Sequence, residues 1–328
     1  MRKITVGSFN LRNLANPNFN FYPGQRYSET SYQKKIIWTA QQLDLMDCDV
    51  VGFQEIFQRE ALEKVIGKTR YYHPAELITI GATGEGPVVG LLSRLPVKAS
   101  TVIADFPARA RLHFEHGSLP VTSFSRPILK VELQLPTGHP VKVFVAHLKS
   151  KRPDIVDEAD PHDFYERSLG KARSLIRRAA EGVAFRYLLL NELIHSQTAV
   201  IAVGDFNDSA TAVTTEIISG SPPLRFLPHE IKKKIWDVLL YNVKDEQIRR
   251  STRDVYYTHI HNGHYESLDH ILVSQEFLKA NNDGLGWVEY VKVLNDHLID
   301  DTLSSEKIPK WKSDHGQVVA TIVLKEND

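Results

Sequence analysis

The chain has 328 residues, with 40 Lys and Arg against 40 Asp and Glu and 42% apolar residues. That apolar content at zero net charge excludes intrinsic disorder, and the neutral balance removes bulk electrostatics as an argument for nucleic acid or an anionic membrane. No Ser, Gly or Pro linker, repeat or low-complexity tract divides the sequence, so one large domain over residues 1–328 is expected. The single cysteine, Cys48, can form no internal disulfide and is expected to be a small buried filler. The opening MRKITVGSFN lacks the apolar segment of a signal peptide, and no apolar run approaches the roughly 18 residues of a membrane span. A cytoplasmic location without membrane insertion is the expectation.

Ile4 to Phe9 reads as a strand, and Asn10 to Thr30, rich in Asn, Pro, Gly and Tyr, as a long loop. Ile36, Ile37, Ala40 and Leu43 recur at helical spacing within Ser31 to Met46, and Val50 to Phe53 is a short apolar run ending in Gln54 and Glu55. A short helix is predicted over Arg59 to Ile66, then strands at Leu77 to Ile80, Val88 to Ser93 and Val102 to Phe106, with a hairpin loop at Gly81 to Gly86. Ile128 to Leu135 and Val141 to Ala146 flank Thr137-Gly138-His139-Pro140 as in a hairpin. Asp154 to Asp163 is loop-like, and a long helical pattern starts at Tyr165, where Gly182 is a candidate interruption. Val200 to Val203 is apolar throughout, as a central strand covered on both faces would be, and it ends at Gly204-Asp205. Further strands are predicted at Val255 to Ile260, Leu268 to Val273, Val288 to Leu294 and Val318 to Leu324. The class is α/β with mixed strand pairing.

Polar and ionisable residues recur where these strands end: Asn10, Gln54-Glu55, His147, Asp205 with Asn207, Asp269-His270 and Asp314-His315. Asn and Asp are ordinary turn formers, so each alone carries little. Together they are carboxylates, amides and imidazoles without a thiol, the donor chemistry of a hard divalent cation. Asp205 and Asn207, two apart, would share a face if the extended strand continued. Asp269 and His270 are adjacent on a strand and must face opposite ways.

The segments SFNLRNL, VVGFQE, VFVAHLKSK, IAVGDFND, SLDHILVS and KSDHGQVVA resemble, in order, the motifs of the endonuclease/exonuclease/phosphatase superfamily, in its deoxyribonuclease I-like branch. The resemblance runs from near Ser8 to Ala320. It implies a four-layered α/β sandwich of two packed mixed β-sheets flanked by helices, with divalent-metal-dependent hydrolysis of a phosphate ester at the sheet edge. It also implies residue roles. Asn10, Glu55 and Asp314 would hold Mg²⁺, with Mn²⁺ able to substitute. His315 would be catalytic, its tautomer fixed by Asp269. His147 would contact phosphate. Asp205 would align or deprotonate the attacking water, and Asn207 would donate to a phosphate oxygen. Arg126 and Lys149 are the expected phosphate-binding cations, and Lys151 and Arg152 would lie beside the site. The preferred substrate is nucleic acid, DNA before RNA, cut as an endonuclease or exonuclease would. The alternatives are the same chemistry on a small or lipid phosphate ester, and a metal-free binding module with a degenerate site.

Other features are expected to be bland. His259, His261, His264 and His270 lack the Cys or spaced carboxylate that would complete a tetrahedral zinc set. Lys232 to Lys234 and Arg249-Arg250 are read as solvated charge, and Gly81 to Gly86 lacks the GK[ST] of a phosphate-cradling loop. Tyr22, Tyr27 and Tyr32 near Arg12 and Arg26 are compatible with nucleic acid, though loop tyrosines more often pack the loop. Two segments depart from the branch, the loop after the first strand and Arg152 to Ser168. The carboxylate that should orient His147 has no motif; Glu76 and Glu85 are the candidates.

Overall fold

The computed structural model describes residues 2–115, 117–156, 159–195, 198–248 and 256–326. The chain begins with β1 (Arg2–Leu14), α1 (Glu29–Met46), β2 (Val50–Gln58) and α2 (Arg59–Ile66). There follow β3 (Glu76–Thr79), β4 (Thr83–Ser93), β5 (Val97–Asp105), the short β6 (His113–Phe114) and β7 (Gly117–Ser118), β8 (Ser123–Gln134) and β9 (Pro140–His147). The second half holds α3 (Phe164–His195), β10 (Ala199–Asp205), α4 (Val213–Ser219), α5 (His229–Trp236), β11 (Leu240–Asn242) and α6 (Val243–Ile248). It closes with β12 (His259–His261), β13 (His264–Glu266), β14 (Asp269–Ser274), β15 (Gly286–Leu294) and β16 (Gln317–Leu324). No described helix is long and apolar enough to cross a membrane.

Two six-stranded sheets form the centre. One runs β15-β16-β1-β2-β4-β3 and the other β11-β14-β10-β9-β8-β5. Each contains one parallel pair, β1 with β2 and β9 with β10, and each pair is joined by a helical crossover, α1 or α3. The remaining pairings are antiparallel, so both sheets are mixed.

The alternation of side chains explains the layers. On β10, Ile201 and Val203 enter the core between the sheets, and Val200 and Ala202 enter a second core under α3. On β9, Val141, Val143 and Val145 face the first core and Phe144 and Ala146 the second. β1 does the same on the other sheet, with Ile4 and Val6 toward the inter-sheet core and Phe9 and Leu11 toward α1 and α2. Both central strands are therefore covered on both faces, and the architecture is the four-layered α/β sandwich of helices, sheet, sheet and helices. Gly52 marks where the sheets close together, since a Cβ there would lie 2.4 Å from the Val203 side chain.

Several expectations change. The loop expected over Asn10 to Thr30 is shorter, because β1 continues to Leu14. A register shift between Asn10 and Leu14, with Arg12 and Asn13 in left-handed backbone, carries the strand past its pairing irregularity. Gly182 does not interrupt α3: a Cβ there would sit 3.2 Å from the Thr214 side chain, so the glycine serves the close packing of α3 on α4. The expected hairpin loop at Gly81 to Gly86 is mostly strand, as β4 begins at Thr83. Within Val255 to Ile260, Val255 lies outside the described residues and the strand is His259–His261. Arg249 and Arg250 also lie outside them. The β8–β9 hairpin forms as expected, closed by Leu135 N–H donating to His139 O at 2.9 Å with Gly138 at φ 86°. Cys48 is fully buried.

Candidate active site

Register places three of the singled-out residues side by side. On the β11-to-β5 sheet, Asp205 at the end of β10 pairs with His147 at the end of β9 and with Asp269 at the start of β14. Gly204 permits this. Its φ is 148°, and a Cβ would lie 1.9 Å from Ala146 O, so only glycine lets β9 and β10 approach so closely just before the two site residues. On the other sheet Asn10 pairs with Gln54, and Glu55 follows in left-handed backbone at φ 62°, within a register shift between Phe53 and Ile56. Ser313, Asp314 and His315 precede β16; Ser313 Oγ donates to Asn10 O at 2.7 Å and accepts from His315 N–H at 3.0 Å, pinning that loop to β1.

The two sheet edges meet at the Asp205 carboxylate. Asn10 Nδ2 donates to Asp205 Oδ2 at 3.1 Å, and the His147 and His315 Nε2 atoms lie 3.6 and 3.8 Å from the same oxygen. Asn207 N–H donates to Asp205 Oδ1 at 2.8 Å. His315 Nδ1 donates to Asp269 Oδ2 at 2.8 Å, the pairing expected of a carboxylate that fixes the ring. His270 faces away, as alternation requires. It stacks on Phe206, donates from Nε2 to Asp208 O at 2.9 Å and accepts at Nδ1 from Asn242 Nδ2 at 3.1 Å. The Asn242 orientation is set by Lys244 N–H, which donates to Asn242 Oδ1, so His270 is fixed as a neutral ring.

Charge sharpens these roles. Burial works against a charged His315, but Asp269 and Asp205 outweigh it and hold the imidazolium well above its ordinary range. Burial likewise disfavours a charged Asp269, and His315 reverses this and keeps the carboxyl below its ordinary value. Asp205 is raised, first by burial and then by Asp269, with His315 opposing. His147 is pushed well below its ordinary value by burial, Arg126 and His315, and is neutral. The cluster therefore pairs one charged imidazole with one neutral imidazole across a carboxylate.

The remaining residues divide. Asn10 Nδ2 also approaches Glu55 Oε1 at 3.4 Å, and Glu55 Oε2 accepts from Asn13 N–H at 2.9 Å. Asp314 lies 3.5 Å from Arg12 Nε, and His315 and Arg12 overcome burial to keep its carboxyl below its ordinary value. Arg126 is brought beside His147, its guanidinium donating to Leu148 O at 3.2 Å. Lys149 is directed elsewhere, its ammonium 3.6 Å from Asp154. Asn207 does not continue the strand: it is left-handed at φ 54°, and its amide donates to Leu148 O at 3.0 Å. His147 Nδ1 is buried without a hydrogen-bond partner among the described residues, so neither Glu76 nor Glu85 orients it. Four non-glycine residues, Arg12, Asn13, Glu55 and Asn207, hold left-handed backbone around this point, a concentration of strain that marks a site.

Three neighbours of the cluster, Arg12, Lys244 and His259, were given no place in the site by the sequence. Arg12 ties β1 to the 309–315 loop through Asp314, Pro309 O and Lys312 O. Lys244 Nζ donates to Asp269 O at 2.8 Å behind the His315 pair. His259 packs against His315 with ring centroids 4.8 Å apart and the rings tilted by 34°, and its Nδ1 donates to Asp314 O at 3.0 Å. The alternation that put His259 and His261 on one face was the available signal, and their rings do stack, 6.2 Å apart. Among the described residues they are in no group of side chains that could hold a metal ion, and His259 packs against His315. Tyr27 and Tyr32 are buried and pack the loop, Tyr27 donating to Arg12 O and Tyr32 to Asn16 Oδ1.

Two stacked mixed sheets whose edges converge on an acid–imidazole cluster define an α/β sandwich with a candidate active site at the sheet edges. The Endonuclease/Exonuclease/phosphatase family model matches residues 7–315, and the chain belongs to that family. Among solved structures it is similar to a humanized D. rerio TDP2 with 14 mutations, at TM-score 0.59 and 14% identity over 98% of this chain and 99% of that one. A Bacteroides vulgatus endonuclease/exonuclease/phosphatase matches at TM-score 0.58 and 14% identity, covering 99% and 100% of the two chains. A truncated Caenorhabditis elegans TDP2 matches at 0.56 and 14% identity, over 98% and 97%. At these identities the likeness speaks for the fold. No curated protein matches the chain by sequence.

Proposed function

We propose that this protein is a metal-dependent phosphodiesterase that hydrolyses nucleic-acid phosphodiester bonds, within one catalytic domain spanning the chain. The observation that carries the reading is the convergence of Asn10, His147, His315 and Asn207 N–H on the two oxygens of Asp205. Asp205 held by two donors is aimed, and burial raises its proton affinity into the range useful to a base. It would accept the proton of the attacking water. The His315 imidazolium, kept charged by Asp269, would donate to a non-bridging oxygen of the phosphate, with neutral His147 and Arg126 on the other side.

The donor set fits a hard cation. Glu55 supplies a carboxylate beside the Asn10 amide and Asp314 a second one on the loop that Ser313 ties to Asn10, with no thiol in the set, and Arg12, which pairs with Asp314, would have to share it. Asp205, Asp269 and His315 also offer ligand atoms within 4.8 Å of one another. There, however, the proton on His315 Nδ1 already bridges to Asp269, so a cation would have to displace it; we assign the metal to Glu55, Asp314 and Asn10. When bound, Mg²⁺ would neutralise charge developing on the phosphate oxygens. The test is hydrolysis of a plasmid or oligonucleotide with Mg²⁺ or Mn²⁺ and with excess chelator. Metal-restored cleavage is expected, and full turnover in chelator would refute the assignment.

A further inference from the structure

Beside the catalytic cluster lies an open cavity of about 760 Å³. Asn207 and His259 form its inner end, the β12–β13 hairpin one wall, and the segment after β9 with the first turns of α3 the other. Among the described residues that line it are five cations, Lys151, Arg152, Arg167, Lys171 and Arg178, and one acid, Glu266. Two are neutralised: Lys151 pairs with Glu266 at 2.9 Å and Arg178 with Asp208 at 3.2 Å. Arg152, Arg167 and Lys171 form no ion pair with any described residue. Arg152 and Arg167 belong to the segment that departs from the family pattern, and the other three cations flank it.

Helical spacing adds a second observation. Arg167, Lys171 and Leu175 succeed one another every four residues on the face of α3 that lines the cavity, and Phe164, one turn before Arg167, continues the line. Phe164 is 85% exposed. A large aromatic ring left in water at the end of a row of unpaired cations has the form of a base-stacking platform beside a phosphate track.

We propose that this cavity is a second subsite, which takes the phosphates next to the scissile one in a single-stranded nucleic-acid segment and stacks one of its bases on Phe164. The proposal rests on the phosphodiesterase reading and adds to it: the preferred substrate carries at least one phosphate beyond the bond that is cut, on an unpaired strand. Inorganic polyphosphate would meet the cations alone. A base-bearing strand uses Phe164 as well.

The test is binding without turnover. In excess chelator, the affinity of a fluorescein-labelled eight-residue oligothymidylate is measured by anisotropy across salt concentrations. Arg167→Ala with Lys171→Ala should weaken it about tenfold near physiological salt and flatten the salt dependence by roughly 1.4 in slope, the loss of two phosphate contacts on a single strand. Phe164→Ala should weaken oligothymidylate at least about fivefold and leave inorganic tripolyphosphate, measured as a competitor, unchanged. Unaltered affinity and slope in the double variant overturn the subsite, and unaltered oligothymidylate affinity in Phe164→Ala overturns the single-strand assignment. All three side chains lie on the α3 surface, so folding is not at stake. Hydrolysis of bis(p-nitrophenyl) phosphate by the wild-type protein with Mg²⁺ tests the underlying reaction separately. Its failure would remove the phosphodiesterase reading while the binding result stands or falls alone.

Discussion

Asp269→Asn removes one charge from a buried trio and leaves the side chain nearly unchanged in size. His315 Nδ1 and Asp269 Oδ2 are 2.8 Å apart, with Asp269 fully buried. Taking the charge centres about 4 Å apart at an effective dielectric of about 20, the lost attraction is about 4 kcal/mol, or roughly three units of His315 proton affinity. The substitution also removes the repulsion that helps raise Asp205, so that carboxyl should ionise more readily. The imidazolium then loses its support and the amide can hold the ring in the wrong tautomer. kcat should fall by about 10² to 10⁴. The assay is steady-state hydrolysis from pH 5 to 9, beside the His315 ring titration by NMR and urea unfolding. A kcat within about threefold of wild type, or an activity loss that only tracks loss of folded protein, refutes the reasoning. So does a larger loss in His270→Ala, whose ring faces Phe206.

Burial lowers His270 to about 3 and His297 to about 4, while the unfolded chain protonates both near 6.5. Their folded values are depressed, so their contribution is intact above pH 6.5 and is lost as pH falls toward 4; His270→Asn should remove about one proton, roughly 1.4 kcal/mol per pH unit, from the slope of stability between pH 6 and 4. Equal slopes in urea titrations would contradict it. Gly204→Ala would force β9 and β10 apart at Ala146 O, destabilising the fold by at least about 2 kcal/mol and lowering kcat in the protein that does fold, checked by urea unfolding and turnover. Glu55→Gln should raise the Mg²⁺ concentration for half-maximal activity by about 10-fold or more, since one carboxylate ligand is lost; an unchanged metal requirement places the cation elsewhere.

The sequence exposed what repeats along it and concealed what depends on distant packing. α2 was legible to both ends, because Arg59 to Ile66 carries its own periodicity, and β10 was legible as central because both its faces are apolar. The Asp269–His315 pair followed from strand alternation joined to a family resemblance. The left-handed turns at Arg12, Glu55 and Asn207 were not readable, since strained backbone at a non-glycine residue is imposed by surrounding contacts. That is why β1 outran its expected end and why Asn207 does not share a strand face with Asp205. The helices α4 and α6, of seven and six residues, are too short to show a clear period. His259 reaches His315 across 56 residues of chain, a ring contact that no local pattern encodes.

The central claim is that Asp205 is the hub of a metal-dependent phosphodiester hydrolysis. The most direct measurement is cleavage of a defined oligonucleotide with Mg²⁺ by the wild-type protein, Asp205→Asn and His315→Ala, each first shown by thermal unfolding to be folded. The account predicts metal-dependent cleavage by the wild type and a kcat lower by at least about 10² in each variant. Cleavage at the wild-type rate by folded Asp205→Asn would contradict it.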